Sequence, residues 1–260
     1  MGRSATELAP GVRLIKGVDF ECCIWLIEGR DKALLVDTGL GLGDLRAEVR
    51  ALTDKPLIPV NTHGHGDHSG GNYGFDRVYL HPAARPDAEA ALEMTEMFAS
   101  RSELEAIRRR MAERPTELRF LSQGDVFDLG GRRLEVLEIP GHTPGDIALY
   151  DREAGLLFSG DSMVHSMDVL LVVPQTVSVS RYTESLRKLA ALEGLTGFCS
   201  GHDPCIMPRS FLLDCLACGE KILAGTARVK ETDPRLPGIE SCLRATHGDA
   251  AILYFQDKIF

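Results

Sequence analysis

Short apolar runs separated by Gly and charged turn residues open the chain. Val12–Lys16, residues 22–27 and Ala33–Val36 read as strands of a meander. The third ends at Asp37-Thr38-Gly39, and residues 44–52 then carry the spacing of an amphipathic helix. Leu57–Val60 reads as a buried strand and residues 78–80 as another. Residues 83–114 change character: they are rich in Ala, Glu, Arg and Met, with helical spacing through Leu92, Met97, Phe98, Leu104, Ile107 and Met111. That stretch is long for a simple connection between strands, so it reads as a helical insertion. The strand rhythm returns over residues 126–129, 134–139, 147–150, 156–158 and 169–173. Helices are expected over 182–192, with Ser180 as N-cap, and over 208–223. Residues 251–255 form a closing strand. The pattern gives one domain over 1–260, an α/β protein with mixed sheets, interrupted at about 83–114.

Composition narrows the partners. A chain of 260 residues with 44% apolar content can bury a sizeable core. A net charge of −9 argues against nucleic acid or an anionic membrane. No apolar run is long enough to span a bilayer, and the first residues carry no apolar secretory core. Seven cysteines without such a leader point to free thiols in a cytoplasmic setting. Cys215 and Cys218 read as small buried residues on one helix face. Cys22 and Cys23 are adjacent in a strand and face opposite ways; neither reads as a ligand.

The chemistry concentrates in residues 61–71, NTHGHGDHSGG. Four potential metal ligands, His63, His65, Asp67 and His68, fall within six positions, spaced by glycine. The run is too polar and Gly-rich for an element interior and reads as a loop. Neutral imidazole and carboxylate bind Zn²⁺ at ~2.0–2.2 Å. His81, directly before Pro82, reads as a strand-end histidine and not as a ligand. The run Arg108-Arg109-Arg110 reads as a solvated face.

THGHGDHSGG resembles the signature of the metallo-β-lactamase-fold hydrolases. The other parts of that pattern follow in order: Asp37 in VDTG, His142 in GHTPGD, Asp161 in FSGD and His202 in SGHD. The resemblance implies a four-layer αββα sandwich. It implies one metal on His63, His65 and His142, a second on Asp67, His68 and His202, and Asp161 bridging them. Two Zn²⁺ per chain are expected, with Mn²⁺ or Fe²⁺ as alternatives. A metal-bridging hydroxide would cleave an ester, lactone, thioester, amide or phosphoester bond in a small molecule.

Catalytic candidates are Asp37, Asp67 and His165. Asp37 would orient ligands, and His165, four residues past Asp161, would serve as leaving-group acid; Tyr73 and His247 are further candidates for that acid. The binuclear pattern is similar to the glyoxalase II and lactonase branches. The chain lacks the basic C-terminal extension of the first and the Tyr that follows the bridging acid in the second. A β-lactam hydrolase is disfavoured by Asp161. A mononuclear iron enzyme that oxygenates persulfides stays open on the same ligands. A non-catalytic binding module would be expected to have lost ligands. The insertion could cover the site through Met94, Met97 and Phe98, or simply pack as core.

Overall fold

The computed structural model describes residues 2–17, 21–234, 236 and 238–260. Seven strands form the first sheet in chain order: β1 Ser4–Ala9, β2 Val12–Lys16, β3 Ile24–Glu28, β4 Ala33–Val36, β5 Leu57–Val60, β6 Arg77–Leu80 and β7 Glu117–Phe120. The first four pair antiparallel, as a meander must; β4 to β7 run parallel.

The second sheet holds β8 Val126–Asp128, β9 Arg133–Glu138, β10 Ile147–Asp151 and β11 Leu156–Gly160. After β12 Val169–Leu171 come its last two strands, β13 Gly197–Ser200 and β14 Ile206–Pro208. A third, four-stranded sheet was not expected. It joins β12 to β15 Arg228–Thr232, β16 Cys242–His247 and β17 Ala250–Tyr254, in the order β12-β17-β16-β15.

Alternation along the strands assigns the layers. Trp25, Ile27, Leu34, Val36 and Val60 face inward and meet Leu134, Val136, Leu149 and Phe158 of the second sheet. Trp25 and Phe158 touch edge to face, 6.1 Å between centroids. Burial of each such side chain contributes ~1.5–3 kcal/mol. Ile24, Leu26 and Leu35 face outward, against Leu45 and Val49 of helix α1, Leu45–Arg50. On the far side, Tyr150 and Leu157 pack on α6, Val179–Ala190, and α7, Arg209–Leu223, through Tyr182, Leu186, Leu212 and Cys215. Helix, sheet, sheet and helix therefore stack in four layers, the αββα sandwich. Cys22 and Cys23 fall in opposite layers, as alternation requires. Cys215 and Cys218 are both buried in the core around α7.

Two local expectations shift. Helix α6 begins earlier, because Ser178 and not Ser180 is its cap: the Ser178 hydroxyl accepts a hydrogen bond from the Arg181 amide. The metal-motif stretch is not all loop. Residues after His65 close one helical turn, α2, Gly66–Ser69, with the amides of His68 and Ser69 donating to the His65 carbonyl.

The insertion forms α3 Arg85–Ala90, α4 Leu92–Glu96 and α5 Arg101–Glu113. Ser100 and Glu103 make a reciprocal capping box at the start of α5. Most of its apolar stripe does not become core. Ile107 is buried, but Met97 is 74% exposed and Phe98 40%. Leu92 and Met111 instead line a cavity of about 420 Å³ against Tyr73, Leu118 and Phe120. Among the described residues, no helix is long and apolar enough to cross a membrane.

Candidate metal centre

Strand direction gathers the motif residues at one edge. Strands β4 and β5 are parallel, so their C-terminal ends deliver Asp37 and the 61–68 segment side by side. Strands β11 and β13 are also parallel and deliver Asp161 and His202. His142 sits in the turn between β9 and β10. This is the carboxyl edge where open α/β sheets build sites.

Two triads result. The coordinating atoms of His63, His65 and His142 lie within 4.8 Å of one another, as do those of Asp67, His68 and His202. His65 Nδ1 is 3.1 Å from His63 Nε2 and 3.0 Å from His142 Nε2. His202 Nε2 is 3.3 Å from Asp67 Oδ2. Asp161 stands between the triads. Its Oδ2 is 3.2 Å from His202 Nε2 and 3.8 Å from His142 Nε2, and its Oδ1 is 3.2 Å from His68 Nε2.

Neighbouring groups fix which ring nitrogens face inward. His142 Nδ1 donates to the Leu170 carbonyl at 2.7 Å, leaving Nε2 as the free lone pair. His68 Nδ1 meets Asp37 Oδ2 at 2.8 Å, with the same result. Asp37 itself sits at φ 64, a left-handed conformation that Asp tolerates better than most residues. There its Oδ1 accepts from the Thr62 amide at 2.8 Å. The His68 carbonyl is held by the Thr38 amide and by Asn61 Nδ2, and Asn61 is steadied by Asn72. A Cβ on Gly201 would lie 2.1 Å from Asp161 Oδ1 and 2.7 Å from His68 Cε1, so any larger residue there would displace two of the ligands.

The donor set fits divalent cations. His68 Nε2 and Asp161 Oδ1 are buried 3.2 Å apart, and neither makes a hydrogen bond; a cation shared by the two would satisfy both. Charge tells the same story. Burial pushes His63 well below the ordinary imidazole range and His65 down to about 4. Burial works the same way on His68 and His202, but carboxylates reverse it. Asp161, assisted by Asp67, holds His202 up at about 9 and His68 well above its usual value. Burial would raise the Asp161 carboxyl, yet His202 and His68 hold it well below the usual range. The acidic side of the site thus demands positive charge. Nitrogen and oxygen donors without thiolate suit Zn²⁺, Mn²⁺ or Fe²⁺.

A family model for the metallo-beta-lactamase superfamily matches residues 18–202. The chain belongs to that superfamily. Within it, human acyl-coenzyme A thioesterase MBLAC2 is 35% identical over 192 residues, covering 65% of this chain and 67% of that protein. Hydroxyacylglutathione hydrolase of Cereibacter sphaeroides ATCC 17025 is 41% identical over 83 residues, 32% of this chain and 31% of that protein. A metallo-beta-lactamase from Erythrobacter litoralis superposes with a TM-score of 0.60 at 20% identity, covering 84% of this chain and 96% of that one, which shows the shared fold. TTHA1623, solved in a di-iron-bound form, gives 0.56 at 26% identity, covering 76% of this chain and 95% of that one.

For a member of this superfamily, several residues around the ligands escaped the sequence reading. Asn61, Thr62, Asp146 and Asp203 lie inside the ligand motifs and Asn72 just beyond one, but as single polar residues they carry no ligand spacing of their own. Asp146 binds the Thr143 amide and hydroxyl and so shapes the His142 turn; burial pushes its carboxyl up to about 6. Asp203 accepts from the amides of His165 and Ser166, tying the Asp161 loop to His202. Cys22, read as a non-ligand, places its sulfur beside Asp37 and His68. Burial there pushes the thiol pKa up, with His68 opposing, so the group stays protonated. The leaving-group candidates are less central. His165 is exposed, with its ring edge-on to Phe211 at 5.2 Å. The Tyr73 hydroxyl donates to the Gly41 carbonyl, and His247 lies 2.7 Å from Lys221 Nζ. His81 Nδ1 accepts from the Ala83 amide, and its Nε2 lies 3.5 Å from Glu138 Oε1.

Proposed function

We propose that this chain is a binuclear metal-dependent hydrolase of small-molecule thioesters. The observation that carries the binuclear reading is Asp161, placed with one oxygen toward His68 and the other toward His202 and His142. His63, His65 and His142 would hold one ion and Asp67, His68 and His202 the other, with Asp161 shared. When bound, such ions supply Lewis acidity toward a carbonyl and lower the pKa of a water to around 7. The chain's own part is positional. Asp37 and the Leu170 carbonyl hold the Nδ1 protons of His68 and His142, so each Nε2 keeps its lone pair aimed inward. Asp203 keeps the Asp161 and His202 loops in register.

The thioester class is supported by the relatives, since both named activities cleave a carbonyl–sulfur bond. It also agrees with the exposed position of His165. A thiol has a pKa of about 8.5, so a thiolate departs near neutral pH without a proton donor. His165 would matter only for poorer leaving groups such as alkoxides. We take the chain as one domain in which residues 83–114 influence substrate choice, and we place it in the cytoplasm, consistent with seven free cysteines.

The test is elemental analysis of reconstituted protein with a panel of acyl-coenzyme A, hydroxyacylglutathione, ester, lactone, phosphodiester and β-lactam substrates. Thioester turnover at least ~10-fold above the other classes is expected. Preference for any other class, or one iron per chain with persulfide oxygenation, would replace this reading.

A further inference from the structure

The insertion touches both metal loops at once. A Cβ on Gly64, between His63 and His65, would lie 2.3 Å from the Ala84 carbonyl oxygen and 2.7 Å from Asp87 Cβ. A Cβ on Gly145, in the His142 turn, would lie 2.5 Å from the Ala84 nitrogen. Only glycine lets the start of α3 come this close. Asp87 therefore rises beside the His63–His65 segment, half-buried. Its Oδ1 accepts a hydrogen bond from Gln175 Nε2 at 3.0 Å, across 88 positions of sequence. Gln175 sits on the segment after β12, which is anchored to the other metal loop. There the Thr176 hydroxyl and the Val177 amide both donate to the Gly141 carbonyl, one residue before His142. The pair thus bridges the two halves of the sandwich beside the loops that carry His63, His65 and His142. Burial raises the Asp87 carboxyl, while His142 is near enough for its charge to oppose that rise.

A rim carboxylate with one oxygen on Gln175 keeps its other oxygen for an N–H donor. The thiol arms of coenzyme A and of glutathione share such a donor: an amide N–H two carbons from the sulfur. An acyl group on that sulfur would bring its carbonyl to the metal centre and its amide to the rim.

Resting on the thioesterase reading, we propose that Asp87, oriented by Gln175, is a specificity residue of this site and binds the amide N–H beside the thioester sulfur. Asp87 does not take part in bond cleavage. It selects amide-bearing thioesters over thioesters of plain alkyl thiols.

The experiment compares an S-acyl N-acetylcysteamine with the S-butyl thioester of the same acid, using zinc-reconstituted protein. Asp87→Ala is expected to lower kcat/KM on the first by ~10-fold or more, mainly through KM, the loss expected for one hydrogen bond to a charged acceptor. The S-butyl thioester should change less than ~2-fold. Asp87→Asn, which retains an acceptor oxygen, should recover part of the loss. Gln175→Ala should act in the same direction, with a double variant no worse than Asp87→Ala. A non-hydrolysable S-alkyl N-acetylcysteamine should bind the Asp87→Ala protein more weakly by calorimetry, with metal content and melting temperature unchanged. Equal losses on both thioesters would make Asp87 a structural strut and overturn the proposal, as would no loss on either. A wild-type protein inert to every thioester but active on another class would overturn the thioesterase reading and the proposal with it.

Discussion

The carboxylate of Asp37 and the imidazole of His68 meet at 2.8 Å where both side chains are almost wholly buried. That contact decides which nitrogen of His68 remains for a cation. Asp37→Asn keeps the side-chain shape and a residue that accepts left-handed backbone, but removes the charge. The expected outcome is a ~10–100-fold loss of affinity for the second metal with the fold retained. Competition with a chromogenic chelator reads it. Unchanged affinity at both metals would show that Asp37 does not orient His68.

Metal uptake should release protons. In the metal-free protein, burial opposes protonation of His202, but Asp161 and Asp67 hold its pKa up at about 9, and His68 is also raised. Ligation needs both imidazoles neutral. Metal affinity should therefore climb with pH up to about 9, where His202 loses its proton unaided. The sign for folding is opposite. A folded pKa above the unfolded value of about 6.5 stabilises the metal-free protein fully below that pH, and the gain fades as pH rises through about 9. Zinc titration in two buffers of different ionisation enthalpy measures the released protons, and melts of the metal-free protein at pH 6 and 9 measure the second effect. Uptake without proton release would contradict the charge balance described for the acidic triad.

Asp161→Ala should abolish turnover while circular dichroism stays native. The two triads would lose the carboxylate placed between them, and His202 and His68 would lose the group that holds their charge. Elemental analysis should fall from two zinc ions per chain toward one. A variant that keeps two ions and full activity would show that Asp161 is not shared.

Much of this site could be read from the chain because its ligands are crowded into strand ends. His63, His65, Asp67 and His68 are close in sequence, and β4 and β5 have the expected bounds because both are unbroken apolar runs, β4 buried throughout and β5 at Pro59 and Val60. Other parts carried no such signal. Strand β1 is polar and mostly exposed, so no alternation marks it. The edge strands β7 and β15 are exposed for the same reason. The α2 turn was hidden by glycine, which usually breaks helices but here starts one. Asp87 and Gln175 lie 88 positions apart, and only the folded chain brings them together.

The insertion offers the last discriminating measurement. Its apolar residues would be core if they packed on the sandwich, and apart from Ile107 and Ala91 most of them stay exposed or half-buried. Met97 is 74% exposed, so Met97→Ala should change stability by no more than ~0.5 kcal/mol. Ile107, the buried residue of α5, should cost ~2–5 kcal/mol when cut to Ala. Met94 differs from both. A Cβ on Gly66, between His65 and Asp67, would lie 2.5 Å from Met94 Cβ, so this side chain bears on the metal motif. If the insertion covers the site, Met94→Ala and Phe98→Ala should alter kcat/KM unequally for a short-chain and a long-chain thioester. Ile107→Ala should leave that ratio intact in the folded fraction. Melts and kinetics on the two substrates, run on one set of preparations, decide between the roles. A large fall in melting temperature for Met97→Ala, with an unchanged substrate ratio in Met94→Ala and Phe98→Ala, would remove the insertion from substrate choice and leave it a packing element.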